Sequence, residues 1–316
     1  MKILFNFIIS IIIFIYGINL FSKSLESILG KNIQTSLKKY TKSPLKGIFL
    51  GTFITSIVQS STLITIITIG LVNANILSFP SSLGIMMGAN LGTCVTSWLV
   101  SLLKINSDNQ ILLFLNPNTY IPLLLLIGLF FFFKKKKRKS NCFLGLSLFM
   151  LGLNLMQKSL LPIQEFTWFK NLLISLSNPF LGLFIGIIIT CIIQSSSATV
   201  AILQTVADSS KINYLMTIPI IMGENIGTCL TTLIASINTS KNAKKVAISH
   251  LLYNIIGTII FFTLFYLCFL LKSQFLEKEV NSFDIALIHT LFNFFSILIF
   301  YPFLHFFEKL INKLVK

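Results

Sequence analysis

Charged residues are scarce in this chain of 316 residues, at 11%, whereas soluble domains carry roughly 25%. Acidic residues are the scarcest, with 9 Asp and Glu against 25 Lys and Arg, while 54% of the residues are apolar. Together with a mean hydropathy of +0.87, this composition excludes a water-soluble globule. It predicts an all-α integral membrane protein, since about 20 apolar residues form one membrane-spanning helix.

The motifs of metal, redox and hydrolytic chemistry are also missing. The five cysteines form no C-x-x-C pair, and the chain has no G-x-S-x-G and no H-E-x-x-H. We therefore expect no enzyme, no catalytic residue and no organic cofactor. The net charge of +16 comes from lysines placed between apolar runs, which favours contact with the lipid bilayer and argues against nucleic acid.

An internal repeat with an offset of 135 residues organises the chain. Gln59-Ser60-Ser61-Thr62 matches Gln194-Ser195-Ser196-Ser197, and Gly88–Cys94 matches Gly223–Cys229. An ungapped match over about 80 residues at this offset indicates duplication. We predict one transmembrane transport domain, 1–316, with repeat one at 3–104 and repeat two at 141–240. A connecting helix and Lys/Arg loop occupy 111–140, and C-terminal helices occupy 246–271 and 284–307.

The distribution of lysine predicts that the two repeats have opposite orientations. Ser22–Lys46 carries six lysines, whereas the equivalent Gln157–Leu181 carries two. The bias reverses at the far end of each repeat, where the residues are Lys104 and Asp108 in the first and Lys241, Lys244 and Lys245 in the second. By the positive-inside rule, the Lys134–Lys139 loop and the C-terminus are cytoplasmic. Frequent use of Ile, Lys and Asn suggests a bacterium with an AT-rich genome. The plasma (inner) membrane is the expected location.

Polar residues interrupt the apolar segments of both repeats. Ile48–Val72 has a polar cluster at its middle, where we expect the helix to break, and Gly88–Thr93 suggests a second break. Inverted repeats with interrupted helices are typical of secondary transporters, whose binding site lies near the bilayer midplane. The predicted fold is an inverted-topology repeat transporter in which each repeat contributes a re-entrant hairpin and a discontinuous helix.

The repeated Gln-Ser stretches offer hydroxyls, amides and the N-H groups of a half-helix, which suit a tetrahedral oxyanion. The candidate substrate-binding residues are Gln59, Ser60, Ser61, Thr62, Gln194, Ser195, Ser196 and Ser197. Residues 47–103 contain no charged side chain, so an anion there requires an accompanying cation, either sodium or a proton. Neutral oxygens could ligate sodium, and the candidate ligands are Thr55, Asn90, Thr93, Thr190, Asn225 and Thr228.

Glu224 is an exception to the uncharged character of these segments, because it stands where the first repeat has Ala89. An intramembrane carboxylate is a candidate functional group, and we consider Glu224 a candidate ion-coupling residue. His250 and Asn254, like His289 and Asn293, lie one helical turn apart. Buried interhelical hydrogen bonds are the expectation for both pairs, with proton handling as the alternative.

These combined motifs resemble the type II sodium/phosphate cotransporters and their bacterial relatives. The resemblance rests on both Gln-Ser-Ser stretches, Gly88–Thr93, Gly223–Thr228, Ala243–Gly257 and Ala286–Pro302. It implies sodium-coupled movement of inorganic phosphate, with the two Gln-Ser-Ser stretches as the substrate and sodium region. Thr62 replaces a usual third serine, and Glu224 replaces a usual small residue.

Several alternatives stay open at this point. The cargo could be another oxyanion, arsenate or sulfate, and the direction could be export, which some bacterial relatives are thought to carry out. An anion channel is a weaker alternative. An intramembrane serine hydrolase is also weak, because a nucleophile and its base need occur only once, whereas both serine clusters are repeated. A homodimer is a further suggestion.

Overall fold

The computed structural model describes residues 2–41, 43–102, 117–163 and 165–315. These residues form helices joined by short connections, and within these ranges no strand occurs beyond an isolated bridge between Asn213 and Glu279. The α-helices of these ranges are α1 (Lys2–Tyr40), α2 (Pro44–Val58), α3 (Ser61–Asn73), α4 (Phe79–Leu102), α5 (Pro117–Phe133), α6 (Lys137–Ile163), α7 (Thr167–Ser175), α8 (Pro179–Ile193), α9 (Ser196–Ser209), α10 (Tyr214–Ser236), α11 (Lys241–Leu270), α12 (Ser282–Phe300) and α13 (Leu304–Leu314). Short 3-10 helices cover Gln274–Glu277 and Tyr301–Phe303.

Among the described residues, six helical segments are long and apolar enough to cross a membrane, and a seventh crossing is reached if the bent pair α7 and α8 counts as one span. The bend between α7 and α8 is 108°. Shorter apolar helices at α2, α3 and residues 120–133 accompany them. The architecture agrees with the predicted all-α, multi-pass membrane protein. Of the residues used in the charge argument, Lys42, Lys104, Asp108 and Lys316 lie outside the described ranges, as do residues 111–116 of the predicted connecting segment.

Helix boundaries repeat at the offset of 135 residues. α2 begins with Pro44 behind the N-cap Ser43, and α8 begins with Pro179 behind the N-cap Asn178. Proline at the first helical position behind a polar N-cap is a strong start signal. α1 at 2–40 corresponds to 137–175, which is divided between α6 and α7. The duplication read from the motifs therefore extends to the secondary structure.

The predicted second break at Gly88–Thr93 is wrong, because α4 is one continuous helix from Phe79 to Leu102. Its glycines serve close packing instead. A Cβ atom on Gly84, Gly88 or Gly92 would lie 2.0, 2.1 or 2.5 Å from a backbone oxygen of α2. Small residues spaced by four allow such backbone contact between membrane helices. The equivalent segment in α10 is also continuous, from Tyr214 to Ser236.

The glycine contacts also give helix directions. Gly84, Gly88 and Gly92 meet Pro44, Ile48 and Thr52 in that order. Both sets of residue numbers rise together, so α4 runs parallel to α2. In repeat two, Gly223 and Gly227 of α10 meet Leu183 and Ile187 of α8 in the same sense. Each pair is therefore packed in the same way.

Equivalent residues of the two repeats meet where α1 crosses α6. Gly17 packs on the backbone of Phe149, and its counterpart Gly152 packs on Phe14, while the two phenylalanine ring centroids are 5.4 Å apart. Gly145 packs on Phe21 farther along. The residue numbers rise along α1 as they fall along α6, so these helices are antiparallel at the contact. In this contact a residue of the first helix meets the counterpart of its own partner. A two-fold axis between two copies of a unit produces contacts of this kind.

Substituting Gly88 with alanine should destabilise the protein, because the new Cβ would lie 2.1 Å from the carbonyl oxygen of Ile48. Overpacking of this kind costs about 1–3 kcal/mol. Gly70→Ala in α3 is the matched control, because a Cβ there meets nothing within 4 Å and alanine favours the helix by about 1 kcal/mol. Thermal unfolding in detergent should give a lower Tm for Gly88→Ala and an unchanged or higher Tm for Gly70→Ala. Equal melting of both variants would contradict the close helix contact.

Candidate functional site

Two helix breaks form the site, one in each repeat. α2 ends at Gln59, which adopts a left-handed conformation with φ 61° and ψ 28°, and α8 ends at Gln194 with φ 58° and ψ 27°. Ser60 and Ser195 then cap α3 and α9, each accepting a backbone N-H bond at 3.3 Å. A left-handed conformation costs a non-glycine residue about 1–3 kcal/mol and is concentrated at functional sites. The predicted breaks at the Gln-Ser stretches are confirmed, with the same geometry twice.

All eight candidate substrate-binding residues line one cavity. Its volume is about 50 Å³, and its walls are Gln59, Ser60, Ser61, Thr62, Gln194, Ser195, Ser196 and Ser197 together with Ile18, Asn19 and Ser22. One water needs at least roughly 10–15 Å³ of such space, so the cavity suits a few waters or a small ion. It contains no charged side chain. Because α3 and α9 begin at the cavity, their free N-H groups and positive dipole ends favour an anion.

The hydroxyls of the cavity differ in how far the protein already uses them. Those of Ser60 and Ser195 accept the capping bonds, whereas those of Ser61 and Ser196 have no hydrogen-bond partner among the described residues. Both of the latter serines are buried at the first position of their helices. Ser61 and Ser196 therefore have hydroxyls available for a ligand in the cavity.

Gln59 holds its helix break together. Its side-chain amide donates to the carbonyl of Ser56, and its Oε1 accepts from the hydroxyl of Thr96 on α4. The same Thr96 hydroxyl lies 3.2 Å from the hydroxyl of Ser197. The side chains of Gln59, Thr96 and Ser197 therefore connect the break of repeat one to that of repeat two. Gln194 differs from Gln59, because it is exposed whereas Gln59 is buried.

The six candidate sodium ligands are buried, but none of them lines the cavity. The hydroxyls of Thr93 and Thr228 donate to carbonyls of their own helices, at 3.1 and 3.0 Å. The amide of Asn225 donates to the carbonyl of Ile221 at 3.3 Å. These three side chains therefore do not line the cavity, and the prediction that they ligate sodium stays a prediction.

The remaining candidates have different environments. The Thr190 hydroxyl donates to Thr199 at 2.9 Å, and the Asn90 amide donates to Asn254 at 2.8 Å. Thr55 is fully buried, and its hydroxyl has no hydrogen-bond partner within the described ranges. Among the six, Thr55 is thus the side chain whose oxygen is buried and unused, and it lies one turn before Gln59.

Glu224 is fully buried and lies against His289, with Oε1 at 3.1 Å from Nε2. Neither carboxylate oxygen of Glu224 nor Nε2 of His289 makes a hydrogen bond in the part of the chain that the structure describes. The opposite ring nitrogen of His289, Nδ1, lies 2.9 Å from the hydroxyl of Ser97 on α4. Burying a carboxylate is costly unless a partner compensates its charge, and a protonated His289 can do so.

The two histidines join the repeats in similar ways. His250 on α11 lies 3.1 Å from the Thr232 hydroxyl through Nδ1 and 3.1 Å from Asn90 Oδ1 through Nε2. His289 on α12 contacts Ser97, the equivalent of Thr232, through Nδ1 and Glu224 through Nε2. One nitrogen of each imidazole therefore contacts repeat one, and the other nitrogen contacts repeat two. The expected buried interhelical bonds of both His-Asn segments are confirmed.

Sequence reasoning missed three residues at or beside the cavity. Asn19 and Ser22 on α1 line it, and Thr96 on α4 links the two breaks. A signal existed for Asn19, because an asparagine within an apolar helix recurs as Asn154 at the repeat offset. Thr96 also recurs, as Thr231, but the sequence gives no sign that Thr96 contacts both breaks, since that role depends on how α4 packs.

Comparisons with known proteins give several relatives of this chain, some of which are named for phosphate transport or export. YqeW of Bacillus subtilis is 28% identical over 323 residues, covering 100% of this chain and 99% of that protein. YjbB of Escherichia coli O157:H7, whose name describes inorganic phosphate export, is 22% identical over 262 residues, which cover 81% of this chain and 46% of YjbB. The human sodium-dependent phosphate transport protein 2B is 45% identical over 62 residues, covering 20% of this chain and 9% of that protein.

No solved structure matches the chain. The family model described as Na+/Pi-cotransporter matches it twice, at residues 13–158 and 148–273. These two matches cover most of the chain and both helix breaks, and they agree with the duplication seen in the helix boundaries. The chain therefore belongs to the Na+/Pi-cotransporter family.

Proposed function

We propose that this protein is a secondary transporter that couples sodium to the movement of inorganic phosphate by alternating access. The observation that carries the proposal is the cavity lined by the Gln-Ser stretches of both repeats. It is small, uncharged and placed where two helices begin, so it offers N-H groups and hydroxyls to a tetrahedral anion. In this proposal the hydroxyls of Ser61 and Ser196 donate to phosphate oxygens, and Gln59 and Gln194 support the breaks.

The proposed architecture is a pair of inverted repeats, at 3–104 and 141–240. Support comes from the antiparallel contact of the equivalent helices α1 and α6. The proposed re-entrant hairpins are α2 with α3 and α8 with α9. Their support is that α4 runs parallel to α2, and α10 to α8, because helix α3 or α9 must reverse the chain direction before the parallel helix begins. The segment 111–140 would connect the repeats, and helices at 246–271 and 284–307 would complete the single domain.

In this mechanism sodium is required to balance the charge of the bound phosphate. A phosphate held only by neutral groups at low dielectric is unfavourable without a companion cation. Thr55 is the best-supported candidate ligand, because its buried hydroxyl has no partner within the described ranges. Four further residues stay candidates because they act as hydrogen-bond donors, which leaves oxygen lone pairs for a cation: Thr93, Thr190, Asn225 and Thr228. Asn90 stays a candidate as well. The name of the human relative, sodium-dependent phosphate transport protein 2B, agrees with this cation.

Glu224 is proposed as an ion-coupling residue. Its carboxylate is fully buried, Oε1 lies 3.1 Å from Nε2 of His289, and neither carboxylate oxygen has a hydrogen-bond partner within the described ranges. A fixed negative charge at this depth attracts a cation and depends on the packing of α10 against α12. Because alternating access moves one repeat against the other, the contact between Glu224 and His289 would differ between the two end states.

Export is the second candidate, and the observation that favours it is the similarity to YjbB over 81% of this chain. The same cavity would then carry phosphate in the opposite direction. Arsenate or sulfate could replace phosphate, since both are tetrahedral. We place the protein in a bacterial inner membrane with Lys134–Lys139 and the C-terminus in the cytoplasm, as the lysine distribution indicates. The comparisons do not support the suggested homodimer.

Purified protein in liposomes should move labelled phosphate when a sodium gradient is imposed, and an equal potassium gradient should not. Imposing the gradient in each direction tests uptake against export. Unlabelled arsenate and sulfate added as competitors test the choice of oxyanion. Absence of sodium-driven phosphate movement in both directions would refute the proposed function. Flux that ignores sodium and carries steady current would instead indicate a channel.

Ser61→Ala and Ser196→Ala should each raise the apparent KM for phosphate, because each removes one hydroxyl donor to a charged ligand. A hydrogen bond to a charged group contributes about 1.5–3 kcal/mol, or roughly 10- to 100-fold in affinity. Thr263→Ala is the control, since the Thr263 hydroxyl donates to its own helix on an exposed face. Unchanged phosphate affinity in both serine variants, with normal melting, would contradict the assignment.

Glu224→Gln should lower the apparent affinity for sodium by about tenfold, equivalent to about 1.4 kcal/mol, because it removes the buried charge while keeping a similar shape. The sodium dependence of phosphate flux at saturating phosphate measures this effect. Glu224→Asp keeps the charge and should retain part of the affinity. A sodium activation curve unchanged in well-folded Glu224→Gln would exclude Glu224 from ion coupling.

A further inference from the structure

A second cavity lies away from the Gln-Ser site, between the C-terminal end of α1 and the first turns of α2. It is an open groove of about 600 Å³. Its lining residues are Lys39, Tyr40, Lys46, Phe49, Leu50 and Phe53. Two cationic side chains and one phenol thus share a groove with an aliphatic and two aromatic side chains.

The polar and apolar groups are ordered along α2. Lys46, Phe49 and Phe53 are three and four residues apart in succession and therefore share one helix face. At 1.5 Å per residue, Phe53 lies about 10 Å farther along the helix than Lys46. Phe49 and Phe53 are 70% and 64% exposed, and on a membrane helix that exposure is toward lipid. The face therefore passes from cationic to apolar over the depth of a headgroup and the upper part of an acyl chain.

Among the described residues, neither lysine of the groove forms an ion pair. No Asp or Glu occurs in the sequence between Glu26 and Asp108. The ammonium group of Lys39 lies over the ring of Tyr40, with Nζ 5.2 Å from the ring centroid. An anionic group bound between Lys39 and Lys46 would supply the missing negative charge. Clusters of lysine beside a membrane helix attract anionic lipid.

The second repeat provides an internal comparison. At the offset of 135 residues, Phe49 corresponds to Phe184, which is also exposed. The two lysines correspond to Ile174 and Leu181. The apolar wall is thus kept in both repeats, whereas the cationic end is confined to the first. A groove that only faced bulk acyl chains would not need the two lysines.

We propose that this groove is a binding site for an anionic glycerophospholipid, with its headgroup phosphate between Lys39 and Lys46 and an acyl chain along Phe49 and Phe53. The site is independent of the proposed transport function. α2 connects the two places, because it begins at the groove and ends at Gln59, about 20 Å from Lys46 along the helix axis.

Site-specific quenching by brominated lipid tests the proposal on the full chain in vesicles. Phe49→Trp places a fluorophore in the groove, and subtracting the signal of the unsubstituted chain removes Trp98 and Trp168. Vesicles of phosphatidylcholine contain an equal fraction of either brominated phosphatidylglycerol or brominated phosphatidylcholine. We expect stronger quenching by phosphatidylglycerol, with local enrichment on the order of fivefold for each lysine.

Adding Lys39→Gln and Lys46→Gln to Phe49→Trp should abolish this preference. Phe184→Trp, at the equivalent position without lysines, should show none. Phe53→Trp gives the same readout one turn deeper if Phe49→Trp fails to reconstitute. Equal quenching by the two lipids at both groove positions would overturn the proposal. A preference that survives the two lysine substitutions would also overturn it, since the lysines would then act only as a topology signal.

Discussion

Unpaired backbone groups at the two helix breaks are the constraint on which the rest of this structure depends. The last carbonyls of α2 and α8 and the first N-H groups of α3 and α9 lack helical partners. Within a membrane, such groups are tolerated only where protein or a polar cavity surrounds them. Here the two breaks line the same cavity, and Thr96 contacts both Gln59 and Ser197. Each repeat therefore supplies part of the polar environment that the other requires.

Close helix packing follows from that constraint. The breaks can share one cavity only if short hairpin helices approach their neighbours at backbone distance. Gly88 on α4 allows this approach, because a Cβ there would lie 2.1 Å from the carbonyl of Ile48. Gly223 has the same distance to the carbonyl of Leu183. Glycine thus acts in these helices as a packing surface, and its conformational freedom is not used.

The sequence was informative where local chemistry and duplication act together. The break at Gln59 was predictable because polar residues interrupt an apolar run, and the same motif recurs at Gln194. The supposed break at Gly88–Thr93 was wrong because glycine in an apolar segment has two meanings, a bend or a close contact, and only the position of α2 decides between them. Asn90, a candidate cation ligand, donates its amide to Asn254, 164 residues away. Partners at that separation cannot be read from spacing within a repeat.

The difference between the two histidine contacts is the clearest departure from the duplication. His250 reaches the neutral Asn90, whereas His289 reaches the carboxylate of Glu224, with both distances at 3.1 Å. A neutral hydrogen bond and the ion pair that a protonated His289 forms with Glu224 differ in their dependence on the surroundings, because an ion pair loses much more when water or a cation enters. Any rearrangement between the repeats would therefore change the energy of the His289 contact more than that of the His250 contact. The two histidine contacts are not strictly equivalent, because Glu224 corresponds to Ala89 while Asn90 corresponds to Asn225, so the difference involves both the substitution and a different choice of partner.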